Sequence, residues 1–187
     1  MNFSAAINTL RLFVNPNLCI PQTKISNFGQ LPVPISPSIK AVVLDKDNCF
    51  AYPHTNEVWP EYEKTWVKLK ETYPGASLLI VSNSAGSSDD TDGKEAKILE
   101  ANVGVPVLHH RVKKPGCREE ILEYFALHQI TTNPKEIAVV GDRLFTDILM
   151  ANLMGSHGVW VCDGVTPAKD PFTTFERKLY DWLTPTA

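Results

Sequence analysis

Four of the acidic side chains lie shortly after two short apolar runs of the sequence. Asp45 and Asp47 follow AVVL, and Asp142 and Asp147 follow EIAVV. Carboxylates that share one crevice repel each other unless a cation lies among them. Oxygen-only ligands suit Mg²⁺, which is typically bound together with a substrate phosphate. These acids therefore indicate Mg²⁺-dependent chemistry on a phosphate group.

Side chains that can hold a phosphate stand at two further places. Ser82 and Asn83 follow the apolar run LLIV, and Lys114 precedes a proline in a connecting loop. A hydroxyl, backbone N–H groups and a lysine can take the phosphate oxygens. Asp45, on a rigid strand end, can then attack phosphorus and form an aspartyl-phosphate. Asp47, two residues on, can protonate the leaving alkoxide and later activate water.

Buried strands and helices alternate from residue 41 onward. Strands are predicted at 41–44, 77–81, 105–108, 136–140 and 157–161, and helices at 60–72, 93–102, 115–128, 144–154 and 172–183. The alternation predicts an α/β fold, a Rossmann-like three-layer sandwich with a five-stranded, mainly parallel sheet and right-handed crossovers. Such sheets bind ligands at the carboxyl ends of their strands. The candidate residues follow the first, second and fourth predicted strands, as an active site there requires.

Four short motifs carry a resemblance to a known superfamily. DKDN, LLIVSN, KP and GDRLFTD occur in the order and at the strand ends found in haloacid-dehalogenase-like (HAD) phosphatases, over roughly residues 40–163. The chain most resembles the fungal mitochondrial phosphatidylglycerophosphate phosphatases. That resemblance rests on AVVLDKDNC, LLIVSNSAGS, KKPGC and AVVGDRLFTDILMANLMGS, and on the N-terminal segment.

The resemblance implies roles for three catalytic residues. Asp45 is the expected nucleophile. Asp47 is the expected general acid and base, with its backbone carbonyl on the metal. Lys114 is expected to offset negative charge on the phosphate and on Asp45.

The resemblance also implies the phosphate and metal ligands. Ser82 holds a phosphate oxygen, with help from Asn83 and Lys114. The expected Mg²⁺ ligands are Asp45, Asp47, Asp142 and Asp147. Cys49 stands where many members have Thr or Val, and its role stays open, as does that of Arg143, which either contacts substrate or caps a loop.

The spacing of the motifs leaves no room for a cap domain. Asp45 and Ser82 are 37 residues apart, and Ser82 and Lys114 are 32 residues apart. One helix and one strand fill each gap, so neither holds a separate domain. The site is predicted to be open and rimmed by residues 52–54 and 84–92. An open site suits a phosphate ester presented by a surface, such as a lipid head group.

The first 44 residues contain Arg11, Lys24 and Lys40 but no Asp or Glu. Residues 2–14 are predicted to form an amphipathic helix, followed by a Pro-rich connector. Such a segment is typical of a mitochondrial targeting signal or an interfacial anchor, although Arg is scarce and no cleavage site is evident. Packing on the domain's own surface is the alternative. We interpret residues 1–38 as a targeting or membrane-docking segment and 39–187 as a capless phosphatase domain, peripheral to the matrix face of the inner mitochondrial membrane.

Composition and charge argue against three other classes of protein: nucleic-acid-binding, membrane-spanning and zinc-binding proteins. The net charge of −3 and the pI near 5.9 give no signature of nucleic-acid binding, so no nucleic acid is expected as a partner. No apolar run reaches the length of about 18 residues that a membrane-spanning helix needs. The four cysteines are far apart and form no C-x-x-C pair, which argues against a zinc site.

Three functions remain open at this point. The first is hydrolysis of phosphatidylglycerophosphate to phosphatidylglycerol, on the route to cardiolipin, as the resemblance implies. The second is hydrolysis of a soluble or protein-bound phosphomonoester. The third is a non-catalytic scaffold, but a scaffold has no reason to keep mutually repelling carboxylates. The first two differ in whether residues 1–38 are needed.

Overall fold

Five parallel strands form the centre of the protein, in the order β1–β5–β4–β2–β3. The computed structural model describes residues 15–167 and 171–185. The strands are β1 (Thr23–Ile25), β2 (Ala41–Leu44), β3 (Leu78–Ile80), β4 (Ile137–Gly141) and β5 (His157–Val161). The helices are α1 (Glu63–Thr72), α2 (Lys94–Val103), α3 (Arg118–Leu127), α4 (Leu149–Met154) and α5 (Pro171–Leu183). The expected α/β fold with a five-stranded parallel sheet is confirmed.

Helices cover both faces of the sheet, because alternate strand residues point to opposite sides. Val42 and Leu44 of β2 join a core with α1 and α2, whereas Val43 joins a second core with α3 and α4. A third buried cluster lies under α5 and includes Leu144 and Trp160. The result is three layers, helices–sheet–helices.

The strand predicted at 105–108 is wrong. Val107 makes a single bridge to Ile80, and the neighbouring Pro106 has no N–H with which to continue a ladder. The fifth strand is instead β1, which pairs with residues 159–161 of β5 at the sheet edge. A three-residue strand within a Pro-rich segment gives no apolar run, so the pattern did not predict it.

The Pro-rich segment packs into the same core as the sheet. Cys19, Phe28, Leu31 and Val33 are all buried, and Phe28 lies against the aromatic rings of α1 and its entry turn. The packing unit among the described residues therefore starts well before residue 39. The helix predicted at 2–14 lies outside the described residues.

The stretch from Asp45 to Lys114 contains α1, β3, α2 and short 3₁₀ turns, and no further domain. The residues between the first and third motifs thus form no cap. Within the described ranges, no helix is both long enough and apolar enough to cross a membrane.

Candidate active site

Three acidic side chains meet at the carboxyl edge of the sheet. Each of Asp45, Asp142 and Asp147 offers a carboxylate oxygen, and these atoms lie within 4.8 Å of one another. Asp45 directly follows β2, and its N–H donates to Val140 O at 2.8 Å, which extends the β2–β4 ladder by one residue. Asp142 follows β4. The two acids are neighbours because β2 and β4 are adjacent parallel strands.

Lys114 neutralises part of this negative charge. Its Nζ donates to Asp45 Oδ1, and to Asp147 Oδ1 at 2.7 Å, while the side chain is only 3% exposed. Burial alone would lower the pKa of Lys114, but the charges of Asp147 and Asp45 outweigh burial and raise it. Lys114 is therefore a fixed cation between two carboxylates.

The carboxylate cluster fits a divalent cation. Burial raises the pKa of Asp45 to about 7, although Lys114 opposes the rise. Burial also raises the pKa of Asp142 well above its usual value, and the charges of Asp45 and Asp147 add to the rise. Ionised carboxylates at this position therefore need more positive charge than Lys114 supplies. An all-oxygen donor set that lacks positive charge is suited to Mg²⁺.

Asp147 reaches the cluster from a single π-helical turn, Leu144–Ile148, which precedes α4. Its Oδ2 accepts from the Arg143 N–H at 3.1 Å. The carboxylate lies against the Cα of Gly141, where any Cβ would overlap it. The glycine at the end of β4 is thus needed for the close approach of Asp147.

Asp47 points away from the other three acids. Its Oδ1 accepts from Lys46 Nζ at 2.7 Å and from the His54 N–H at 2.8 Å, and its Oδ2 accepts from Ser84 Oγ. Partial burial would raise the pKa of Asp47, but the hydrogen bonds from Lys46 and Ser84 hold it below its usual value. Asp47 is therefore a carboxylate in this arrangement, although it borders the same cavity.

The two residues after β3 are placed differently from each other. Asn83 borders the cavity, and its Oδ1 accepts from the Lys114 N–H at 2.9 Å. Ser82 is fully buried and its Oγ lies 3.0 Å from Ser84 Oγ. Because Ser84 donates to Asp47, the Ser82 hydroxyl donates to Ser84. Phosphate binding by Ser82 stays a prediction, since the cavity lining does not include it.

A cavity of about 850 Å³ joins these groups. Its lining comprises Asp45, Asp47, Asn48, Tyr52, Pro53, His54, Asn83, Lys114, Asp142, Arg143, Thr146, Asp147, Thr166, Pro167 and Thr173. The rim expected at 52–54 is present. Residues of the other expected rim, 84–92, instead line a separate cavity of about 440 Å³ with 109–111.

The two residues whose roles the sequence left open now have defined surroundings. Arg143 borders the cavity, and its Nε donates to Glu176 Oε2 on α5 at 2.9 Å. Cys49 is fully buried, and burial raises its pKa well above the usual value. The thiol is therefore packing material with little thiolate character.

The sequence pattern missed several residues that shape the site. Asn48 Nδ2 donates to Asp142 Oδ2 at 3.3 Å, and Asn48 Oδ1 accepts from the Thr166 N–H at 2.9 Å. Asn48 has a φ of 59°, a left-handed conformation that Asn tolerates well. Its place in the turn DKDN was the available signal. Ser84 was expected only as a rim residue. Its hydrogen bond to Asp47 and the ion pair of Glu176 with Arg143 gave no local signal, because the partners are far apart in the sequence.

The profile of the family described as "Mitochondrial PGP phosphatase" matches residues 3–166 of this chain. The chain belongs to this family. Mitochondrial phosphatidylglycerophosphatase GEP4 of Saccharomyces cerevisiae is 58% identical over 183 residues, covering 98% of this chain and 99% of that protein. A probable mitochondrial phosphatidylglycerophosphatase of Schizosaccharomyces pombe is 32% identical, with coverage of 89% and 85%. The resemblance read from the motifs is confirmed.

A third relative comes from a plant. The chloroplastic/mitochondrial phosphatidylglycerophosphate phosphatase 1 of Arabidopsis thaliana is 35% identical over 164 residues. The match covers 87% of this chain but 44% of the plant protein.

Proposed function

We propose that this chain hydrolyses the terminal phosphate of phosphatidylglycerophosphate to give phosphatidylglycerol and inorganic phosphate. One observation carries the proposal. In a member of the PGP phosphatase family, Asp45, Asp142, Asp147 and Lys114 converge on one open cavity at the carboxyl edge of the sheet. This set can bind a phosphomonoester and supply a nucleophile.

In the first step, a carboxylate oxygen of Asp45 attacks phosphorus. The bond between phosphorus and the glycerol oxygen breaks, and Asp45 becomes an aspartyl-phosphate. Lys114 offsets negative charge next to the attacking oxygen, and Asn83 and Ser82 are the proposed contacts of the phosphate oxygens. The leaving oxygen takes a proton from Asp47.

In the second step, water attacks phosphorus and the Asp45 carboxylate is restored. Asp47 takes a proton from that water. The ionised carboxylate seen in the structure can do so without any change. The first step requires Asp47 to hold a proton, which the bonds from Lys46 and Ser84 oppose. We therefore expect substrate binding to displace one of these two contacts.

The residues that would hold Mg²⁺ are the carboxylates of Asp45, Asp142 and Asp147 and the backbone carbonyl of Asp47. Bound there, the ion neutralises charge on the phosphate and on the carboxylates. The fit rests on the close approach of the three acids and on the burial that opposes ionisation of Asp45 and Asp142.

The location of the reaction belongs to the same proposal. The two fungal relatives are named as mitochondrial, and a lipid substrate requires contact with a membrane. We propose that the protein acts as a peripheral enzyme on the matrix face of the inner membrane. The targeting or docking role expected of residues 1–38 is proposed only for those before residue 15, because the segment 16–38 contains β1 and packs in the core of the domain.

Phosphate release from a panel of lipid and soluble phosphomonoesters tests the function. We expect phosphatidylglycerophosphate in vesicles to be the preferred substrate, with activity in Mg²⁺ and none in EDTA. Asp45→Asn should lower turnover by at least about 10³-fold, because an amide cannot supply the attacking oxygen. Asp92→Asn, an exposed acid outside the site, is the matched control.

Two results would contradict the proposal. Full activity of Asp45→Asn would remove the nucleophile assignment. Preference for a soluble ester over the lipid would favour the alternative function on small or protein-bound phosphomonoesters.

A further inference from the structure

One side of α5 carries an apolar stripe that we call the α5 stripe. It is formed by the exposed Phe172, Phe175 and Trp182 and by Leu179, which is partly buried against the cluster that contains Trp160. Phe172, Phe175 and Trp182 are 71%, 56% and 73% exposed. The spacing of three, four and three residues puts all four side chains on one side of the helix. Adjoining exposed aromatic residues mark an interaction surface, whereas single ones are ordinary.

Another side of α5 fixes the helix to the segment after β4, residues 142–148. Glu176 is buried and accepts from Arg143 Nε and from the Phe145 N–H, at 2.9 and 3.0 Å. Thr173 is also buried and borders the catalytic cavity. Since Phe172 immediately precedes Thr173, the stripe begins beside the cavity and is held in a fixed position relative to it.

We propose that the α5 stripe docks on a lipid bilayer and presents the cavity to its surface. This inference rests on the proposed function in one respect, the phospholipid substrate. The acyl chains of such a substrate stay in the bilayer while its phosphate reaches the cavity. A surface that borders the cavity must then lie on the bilayer, and the α5 stripe is such a surface.

The composition of the stripe agrees with a bilayer. Trp and Phe are the anchors of helices that lie in the membrane interface. Lys178 is exposed and lies three residues after Phe175 and four before Trp182, so it stands beside the stripe.

Further charges lie near the inner flank of α5. Lys24 Nζ lies 4.6 Å from the Tyr180 ring centroid, and Arg177 Nη1 pairs with Asp163 at 3.4 Å. With Lys178, Asp181 and the Arg143–Glu176 pair included, four basic and three acidic side chains lie on or next to α5. Of these, Lys178 adjoins the α5 stripe, where a cation suits anionic lipid head groups.

Vesicle flotation of the full-length protein tests the proposal. The variant Phe172→Ser/Trp182→Ser removes the two most exposed aromatic rings and leaves Phe175, which packs on Phe145. The control Val67→Ser/Leu127→Ser changes side chains that are 43% and 73% exposed on α1 and α3. With vesicles of phosphatidylcholine and phosphatidylglycerol, we expect the first variant to bind about tenfold more weakly and the control to bind normally.

The activity assay adds a second measurement. The Phe172→Ser/Trp182→Ser variant should hydrolyse a soluble phosphomonoester at the wild-type rate and vesicle-embedded substrate about tenfold more slowly. Flotation needs no catalysis, so absence of phosphatase activity would refute the proposed function and leave the docking result intact.

Two outcomes would overturn the docking proposal. One is wild-type vesicle binding by the variant, or an equal loss in the control. The other is a wild-type dimer in sedimentation velocity that only the Phe172→Ser/Trp182→Ser variant breaks while vesicle binding persists. That result would assign the stripe to a second copy of the chain.

Discussion

Arg143 and Glu176 form an ion pair that joins the segment after β4, residues 142–148, to α5. Arg143 Nε and Glu176 Oε2 lie 2.9 Å apart, and Glu176 is 1% exposed. The other oxygen of Glu176 accepts from the Phe145 N–H. One buried carboxylate thus holds the loop that presents both Asp142 and Asp147.

Replacing Glu176 tests this positioning role. Glu176→Ala leaves the buried Phe145 N–H without its acceptor, so we expect a loss of about 2 kcal/mol in the free energy of unfolding. Glu176→Ala should also lower phosphatase activity, because the segment that carries Asp142 and Asp147 loses its anchor. Glu176→Gln keeps an acceptor oxygen, so it should be more stable and more active than the alanine variant. Urea denaturation and phosphate release measure the two effects. Equal stability of the alanine variant and wild type would contradict the role.

Mg²⁺ should stabilise the folded protein, because it relieves repulsion among Asp45, Asp142 and Asp147. A ligand at 100 times its Kd contributes about 2.7 kcal/mol. We expect the Tm to rise on adding MgCl₂ to EDTA-treated protein. Asp142→Asn should abolish the rise and Asp92→Asn should retain it. An equal rise in both variants would mean that the ion binds elsewhere.

The Asp47→Asn variant should separate the two chemical steps on p-nitrophenyl phosphate. This leaving group needs no proton, so the aspartyl-phosphate still forms. Its hydrolysis slows because the base is lost. Stopped-flow absorbance should record a burst of about one equivalent of nitrophenolate followed by slow turnover. Wild-type turnover without a burst would remove Asp47 from the second step.

Gly141→Ala should disturb the cation site without touching any charge. A Cβ at position 141 overlaps the Asp147 carboxylate, so the variant should lose about 1–3 kcal/mol of stability. Its Mg²⁺-induced rise in Tm should also shrink. Gly29→Ala is the control. A Cβ at position 29 would lie 3.1 Å from the Asn27 side chain and would touch none of the acids of the site. A full Mg²⁺ response in Gly141→Ala would refute the packing argument.

Asp90 should make stability depend on pH. Its carboxylate accepts from the N–H groups of Gly86, Glu95 and Ala96, which ties the loop after β3 to the start of α2. Burial would raise the pKa of Asp90, but these backbone bonds outweigh it and lower the pKa. A lowered folded-state pKa gives stability that is present above the unfolded pKa of about 4 and is lost as the pH falls through the folded value.

The matching variant is Asp90→Ala. We expect it to be about 1 kcal/mol less stable than wild type at pH 7, as for loss of a helix cap. The difference should shrink below about pH 4. Denaturation curves at pH 7 and pH 3 measure it, and a constant difference would show that the charge of Asp90 is irrelevant.

The sequence alone determined the site's main acids and the sheet that holds them. AVVL, LLI and IAVVG are apolar throughout because their strands are covered on both faces, and this is visible in the chain itself. Parallel strands end at one edge, so Asp45, Asn83 and Asp142 could be brought together by topology alone. Lys114 was singled out as the lysine before Pro115, the resemblance supplied its expected role, and the structure places it between Asp45 and Asp147.

Only the tertiary structure decided which segment completes the sheet and what holds the segment after β4 in place. β1 is a strand because Val159–Val161 offers it an edge, and TKI has no pattern of its own. Glu176 can be buried because its carboxylate accepts hydrogen bonds from Arg143 Nε and from the Phe145 N–H. Glu176 and Phe145 are 31 residues apart in the sequence, so no local pattern predicts the contact. The exposed stripe on α5 follows from the same contact, since the buried side of the helix is set by its partners. Local sequence patterns predict which segments are buried and where strands end. Contacts between residues that are distant in the sequence form only when the whole chain is folded.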